Sequence, residues 1–167
     1  MSQPVTSSSP ALLPIEHERD GPFAGIVTIL LDQSPSPMVV LDHDLIRRIE
    51  ATLDEVRRAG CRGLVLASPS PKVFIAGADL RTIQSPLTPG SQGWNDDQLD
   101  KYLAYGQRVF GMICDLPCPT VAAINGAALG GGLEIAMHCD ALVAAPSASG
   151  KPYPVGLPEA GLSICPG

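Results

Sequence analysis

The run Asn125-Gly126-Ala127-Ala128-Leu129-Gly130-Gly131-Gly132-Leu133-Glu134 constrains this chain more than any other segment. It reads as the end of a buried strand, a tight glycine turn, and a helix start with a carboxylate in its first turn. Three consecutive glycines let the backbone come close to another group, because no Cβ stands in the way. The helix that follows begins with unpaired N–H groups and the positive end of its dipole. Such a turn can hold a developing oxyanion. Its plainer use is close packing of a helix on a strand.

A second segment shares the design. Phe74-Ile75-Ala76-Gly77-Ala78-Asp79-Leu80 is a strand that ends in a small-residue turn and opens a helix. Two such turns on adjacent parallel strands can aim two backbone N–H groups at one point. Ligands of open α/β sheets bind beyond the carboxyl ends of the strands. The pair of turns therefore favours a ligand site over packing alone.

Glu134 lies three residues after Gly131, on the same helix face. As a helix-dipole carboxylate it would contribute only about 0.3–1 kcal/mol. Its neighbours Leu133, Ile135, Ala136 and Met137 are apolar, and an acid held in such surroundings is a functional-site candidate. Glu159, in Gly156-Leu157-Pro158-Glu159, reads as a surface-loop acid by itself. It gains meaning only as the second member of a carboxylate pair.

The rest of the chain alternates strands and helices. Ile15–Glu18 and Ile26–Leu31 read as two strands joined by an Asp20-Gly21 turn. Leu45, Ile46, Ile49, Leu53 and Val56 recur at helical spacing in a helix over Asp42–Ala59, with Gly60 as its stop. Gly63–Ala67 and Lys72–Ala76 read as strands, and Asp79 as the start of a short helix. Gln84–Asp97 is a polar, mobile loop, and Gln98–Leu116 a helix ended by Pro117 and Pro119. Thr120–Ile124 is a buried strand, Gly131–His138 a short helix, Ala141–Ala145 a strand, and Val155–Leu157 extended. This order predicts an α/β fold with a largely parallel sheet and right-handed crossovers. The Ser/Pro-rich residues 1–13 are expected to be a disordered tail.

Other classes are disfavoured. The net charge is −6 and no Lys/Arg run exceeds two residues, so no nucleic-acid partner is expected. The five cysteines are scattered and odd in number, which argues against a disulfide framework. They are expected to be small buried hydrophobes, without a metal. No apolar run suits a membrane span and no basic leader is visible, so a cytoplasmic protein is the expectation. P-loop, dinucleotide and serine-elbow motifs are absent. His17 and His43 read as surface residues and His138 as a helix end, none of them catalytic.

Four segments together resemble the enoyl-CoA hydratase/isomerase (crotonase) family: Phe74–Asp79, Pro119–Glu134, Ile135–Asp140 and Gly156–Gly167. The resemblance covers residues 15–167. It implies a crotonase-like α/β fold of repeated ββα units, forming a spiral of mostly parallel strands flanked by helices. Residues 14–167 would be its core, without the C-terminal helical region usual in the family. By resemblance, the backbone N–H groups of Ala78 and Gly131 form the oxyanion hole. Ala76, Asp79, Leu80, Arg81 and Gly130 would line the acyl-CoA site. Glu134 and Glu159 would be the two catalytic carboxylates. Both together imply an enoyl-CoA hydratase. The alternatives are a delta3-delta2 enoyl-CoA isomerase, or a non-catalytic acyl-CoA-binding fragment of a larger, even bifunctional, enzyme. The resemblance implies no cofactor beyond the coenzyme A thioester substrate. It also implies a homotrimer or hexamer, if the assembly surfaces are present. The stretch around Ser149–Pro154 is longer than usual in the family.

Overall fold

A computed structural model describes residues 10–78, 96–147 and 150–162. The strands fall into two sheets, one of five strands in the order β1-β2-β3-β5-β7 and one of three in the order β4-β6-β8. In the first, β1 (Ile15–His17) runs antiparallel to β2 (Ile26–Leu30), with Ile15 opposite Ile29. The remaining strands β3 (Gly63–Ala67), β5 (Thr120–Ile124) and β7 (Ala141–Ala144) all run parallel to β2. Alternation decides the faces: Val27 and Ile29, Leu64 and Leu66, Ala122 and Ile124 are all buried. By contrast β7 is a sheet edge, exposed along its length, with Leu142 and Val143 open to solvent.

Helix α1 (His43–Ala59) makes the crossover from β2 to β3. Its boundaries follow from two residues. Asp42 caps the start by accepting from the Leu45 N–H at 2.7 Å, and Gly60 ends it at φ 76. Leu45, Ile46, Ile49, Leu53 and Val56 form its buried stripe. Helix α2 (Asp96–Cys114) packs on α1. The Tyr105 hydroxyl and the Arg108 guanidinium both donate to Glu50, each at 2.6 Å. Burial opposes ionisation of Glu50, but these two hydrogen bonds outweigh it and hold its carboxyl below the usual range. Burial, reinforced by Glu50, pushes the Tyr105 hydroxyl up.

The expected tail is shorter at its inner end. Leu13 is only 2% exposed, and its N–H donates to Thr52 Oγ1 at 2.9 Å. Thr52 is buried in α1 and donates in turn to the Arg48 carbonyl. A helix hydroxyl thus anchors the chain before β1 begins.

The second sheet is built from very short strands: β4 (Val73–Ile75), β6 (Ala127–Leu129) and β8 (Val155–Gly156). All are parallel. Strand β6 is not among the expected elements. It exists because Gly126 lets the chain press on the start of β4. A Cβ at Gly126 would stand 2.3 Å from the Val73 backbone nitrogen. With none there, the Ala127 N–H reaches the Lys72 carbonyl at 2.9 Å.

Asp140 clamps the starts of β5 and β7. Its Oδ2 accepts from the Thr120 N–H at 2.8 Å and from the Thr120 hydroxyl at 2.9 Å. The backbone bond first, then the hydroxyl, hold its carboxyl below the usual carboxylate range. A group whose folded pKa is lowered stabilises the fold above its unfolded pKa, and loses that as pH falls through the folded value. Asp140→Ala is therefore expected to lower Tm at neutral pH, with the gap to the parent narrowing below about pH 4. Thermal melts across pH check this, and a gap that does not narrow would show that the clamp does not depend on charge.

The cysteines depart from the expectation. Cys139 is buried, and burial pushes its thiol up to about 11. Cys114, however, is exposed, and Cys61 and Cys118 are half-buried, with their sulfurs 2.9 Å apart. Cys165 lies outside the described residues. Among the described residues, no helix is long and apolar enough to cross a membrane.

Candidate functional site

The three strands of the small sheet end at one edge, and each delivers one part of the candidate site. Strand β4 runs into Ala76-Gly77-Ala78. Strand β6 runs into Gly130 and helix α3 (Gly131–Met137). Strand β8 runs through Leu157 into a 3-10 turn, Pro158–Leu162, that carries Glu159.

Contacts between the exits fix their relative positions. Gly77 has φ 112, and a Cβ on it would lie 3.4 Å from the Leu129 carbonyl oxygen. The exit of β4 therefore rests against the end of β6. The Gly130 N–H donates to the Gly156 carbonyl at 2.9 Å, tying β6 to β8. Gly130 itself has φ 50 and ψ −129, a conformation that side chains disfavour. Its carbonyl accepts from Leu133 and Glu134 at 2.8 and 3.0 Å and so closes the first turn of α3.

The two carboxylates meet this turn from different elements. Glu159 Oε2 lies 3.2 Å from where a Gly130 Cβ would stand, and Glu134 Oε2 lies 3.7 Å from where a Gly131 Cβ would stand. They thus face consecutive residues of one glycine turn. Both side chains are half-buried. Among the described residues, neither the Ala78 N–H nor the Gly131 N–H has a hydrogen-bond acceptor. Two backbone donors and two carboxylates at one strand-end edge can polarise an oxygen and move protons beside it.

Two contributors carry no motif. Leu41 forms a parallel bridge with Ala78, and its N–H donates to the Gly77 carbonyl at 2.8 Å. Its Cδ1 would stand 2.8 Å from a Cβ at Gly131, so this side chain spans both turns. Gln33 holds the Leu41 segment in place. Its amide oxygen accepts from the Val40 N–H at 2.7 Å, and its amide nitrogen donates to Asp42 at 3.1 Å. The only sequence signal for Leu41 is its place, an apolar residue just before a helix cap. The long stretch before β8 is tied down as well. The Tyr153 hydroxyl donates to the Pro71 carbonyl at 3.0 Å, and the Pro154 carbonyl accepts from Ala128 at 3.0 Å.

Of the expected site residues, Ala76, Ala78, Gly130, Gly131, Glu134 and Glu159 are brought to this edge. Asp79, Leu80 and Arg81 lie outside the described residues. The histidines stay apart in role. His17 and His43 are exposed, and His138 closes α3 with Nδ1 2.9 Å from the Glu134 carbonyl.

The enoyl-CoA hydratase/isomerase family model matches residues 23–167, and the chain belongs to that family. The YngF protein of Bacillus subtilis is 35% identical over 134 residues, covering 80% of this chain and 46% of that protein. The fatty acid oxidation complex subunit alpha of Aliivibrio fischeri is 36% identical over 144 residues, covering 85% of this chain and 20% of that protein. The crystal structure of an enoyl-CoA hydratase from Bacillus anthracis superposes with a TM-score of 0.71 at 32% identity. That match covers 89% of this chain and 52% of the other. The chain thus spans less than half the length of these two curated relatives.

Proposed function

We propose that this chain carries the active site of an enoyl-CoA hydratase, which adds water across the C2=C3 bond of a 2-trans-enoyl-CoA. One observation carries the reading: Glu134 and Glu159 face consecutive residues of a glycine turn whose Gly131 N–H has no acceptor among the described residues. An isomerisation needs one acid–base carboxylate, whereas hydration uses two around one water.

In this mechanism the thioester oxygen accepts from the Ala78 and Gly131 N–H groups. One carboxylate takes a proton from water as the water oxygen bonds C3. The C2=C3 electron pair moves toward the thioester oxygen, giving an enolate. A proton then goes to C2, and the thioester is restored. Each backbone donor contributes about 2.7–4 kcal/mol of barrier lowering, and acid–base work about 10²–10⁴-fold. Ala76, Asp79, Leu80, Arg81 and Gly130 line the path of the acyl-CoA, with Arg81 as the cation for its phosphates. The reading includes a cytoplasmic homotrimer or hexamer, with no cofactor other than the substrate's own coenzyme A.

The test is the loss of conjugated-thioester absorbance when the purified chain meets crotonyl-CoA. A steady loss is expected. No loss from a sample with native circular dichroism would overturn the assignment.

A further inference from the structure

We propose that Cys61 and Cys118 form a reversible redox pair, closed into an intramolecular disulfide by a low-molecular-weight disulfide such as oxidised glutathione. The two sulfurs already face each other at 2.9 Å, roughly 0.9 Å beyond an S–S bond of about 2.05 Å.

The backbone around them holds that approach. Cys61 sits between the Gly60 helix cap and β3, and Cys118 sits between Pro117 and Pro119 just before β5. Strands β3 and β5 are direct neighbours, with Leu64 opposite Thr120. The Leu64 N–H donates to the Pro119 carbonyl at 2.9 Å, and the Arg62 N–H to the Gly25 carbonyl at 2.8 Å. The flanking prolines fix φ on both sides of Cys118. Closure therefore requires side-chain rotation and a small shift, with the strands left in place. The other described thiols are engaged elsewhere: Cys114 donates to the His138 carbonyl at 3.2 Å, and Cys139 is buried.

The chemistry is two successive exchanges. Cys61, as thiolate, attacks one sulfur of the small disulfide; that S–S bond breaks and one small thiol leaves with a proton. Cys118 then attacks the Cys61 sulfur of the mixed disulfide, and the second small thiol leaves with the Cys118 proton. Two protein thiols are oxidised and one small disulfide is reduced to two thiols. Burial and the neighbouring Cys61 push the Cys118 thiol up to about 12 in the reduced pair, which disfavours Cys118 as the first nucleophile.

The pair lies at the entrance to β3 and β5, whereas the glycine turn lies at the exits of the small sheet. Closure is expected to leave the turn untouched and to restrict the unfolded chain across a separation of 57 residues. For a loop of this size the expected rise in Tm is on the order of 10 °C.

The test is incubation of the whole chain with oxidised glutathione, alkylation of the remaining thiols, and peptide mass spectrometry without reductant. The expected result is a Cys61–Cys118 cross-linked peptide that disappears with dithiothreitol. Cys118→Ala should instead accumulate glutathione on Cys61. Wild-type chain in which Cys61 and Cys118 are both alkylated, or are linked mainly to other cysteines or other chains, would overturn the proposal. Because the wild-type readout decides it, the result does not depend on how the variant folds.

Discussion

Glu134→Gln is expected to lower the rate of crotonyl-CoA hydration by about 10²–10⁴-fold while leaving the melting temperature close to that of the parent. The amide keeps the shape and most of the polarity of the side chain, but it can neither take nor give the proton. The carboxylate stands 3.7 Å from where a Gly131 Cβ would be, so on the proposed mechanism the lost proton transfer falls beside the proposed oxyanion donor. Glu159→Gln should cost a similar factor. The double variant tells more than either single one. If both acids work on one water, the second substitution adds much less than the first, since groups that act as a unit are strongly non-additive. Fully multiplicative losses would mean separate tasks. Conversion of a 3-enoyl-CoA to the 2-enoyl isomer should be followed in the same samples. Hydration surviving in Glu134→Gln at above a tenth of the parent rate would remove Glu134 from the mechanism.

Gly132→Ala is expected to be the more damaging of the two single methyls that can be added to the glycines of helix α3. Its Cβ would stand 2.4 Å from the Ile75 carbonyl oxygen and 2.7 Å from the Ile75 Cβ. Both belong to β4, whose three residues are all buried, so neither atom can step aside. Helix α3 must lift from the strand instead, and it carries the Gly131 N–H and Glu134 with it. Overpacking of this kind costs about 1–3 kcal/mol, which for a chain of this size is a fall of about 3–10 °C in Tm. Activity should fall further than stability, because the turn is displaced even in folded molecules. Two controls frame the result. At Gly131 the added Cβ would meet the Leu41 Cδ1 at 2.8 Å, the far end of a side chain rather than backbone, with Glu134 Oε2 next at 3.7 Å, so its cost in stability should be smaller. At Gly111 in α2 nothing lies within 4 Å, and alanine there should be neutral or stabilising. Melting curves order the three variants. Gly132→Ala melting with the parent would show that β4 and α3 are not packed as described.

Local signals made the large sheet and its helices readable. Asp42 and Gly60 bound α1 because a side-chain cap and a left-handed residue act within a few positions of themselves. Gly63–Ala67 and Thr120–Ile124 emerge residue for residue because each is a short, almost wholly apolar run bounded by turn residues, the mark of a buried strand. Helix α2 begins at Asp96, slightly before the expected Gln98, since two aspartates suit a first turn as well as a loop. The small sheet was not readable in this way. Ala127–Leu129 has neither alternation nor β-branched residues. It becomes a strand only because Gly126 meets Val73, a contact more than fifty residues distant in sequence. The glycine turns and Glu134 stood out because their chemistry is compact. Glu159 needed the resemblance, since only the β6–β8 pairing explains why a loop acid should reach Gly130. Gln33 and the Cys61–Cys118 contact left no pattern, and Leu41 left only its place before a helix cap, because each depends on where distant backbones come to rest.

The two carboxylates hang on the fold in very different ways. Glu134 belongs to a helix wedged against β4 through Gly132, so its position is inherited with the packing. Glu159 rides a 3-10 turn beyond a strand of two residues, outside the buried core. Exchanging Glu159 for another side chain would leave the Gly130–Gly156 hydrogen bond in place, because both of its partners are backbone groups. On the proposed reading, the half of the site that would hold an oxygen is thus architectural, while one of the groups that would move protons is interchangeable. A scaffold arranged like this can change its reaction by point substitution at its periphery without having to find a new way to fold.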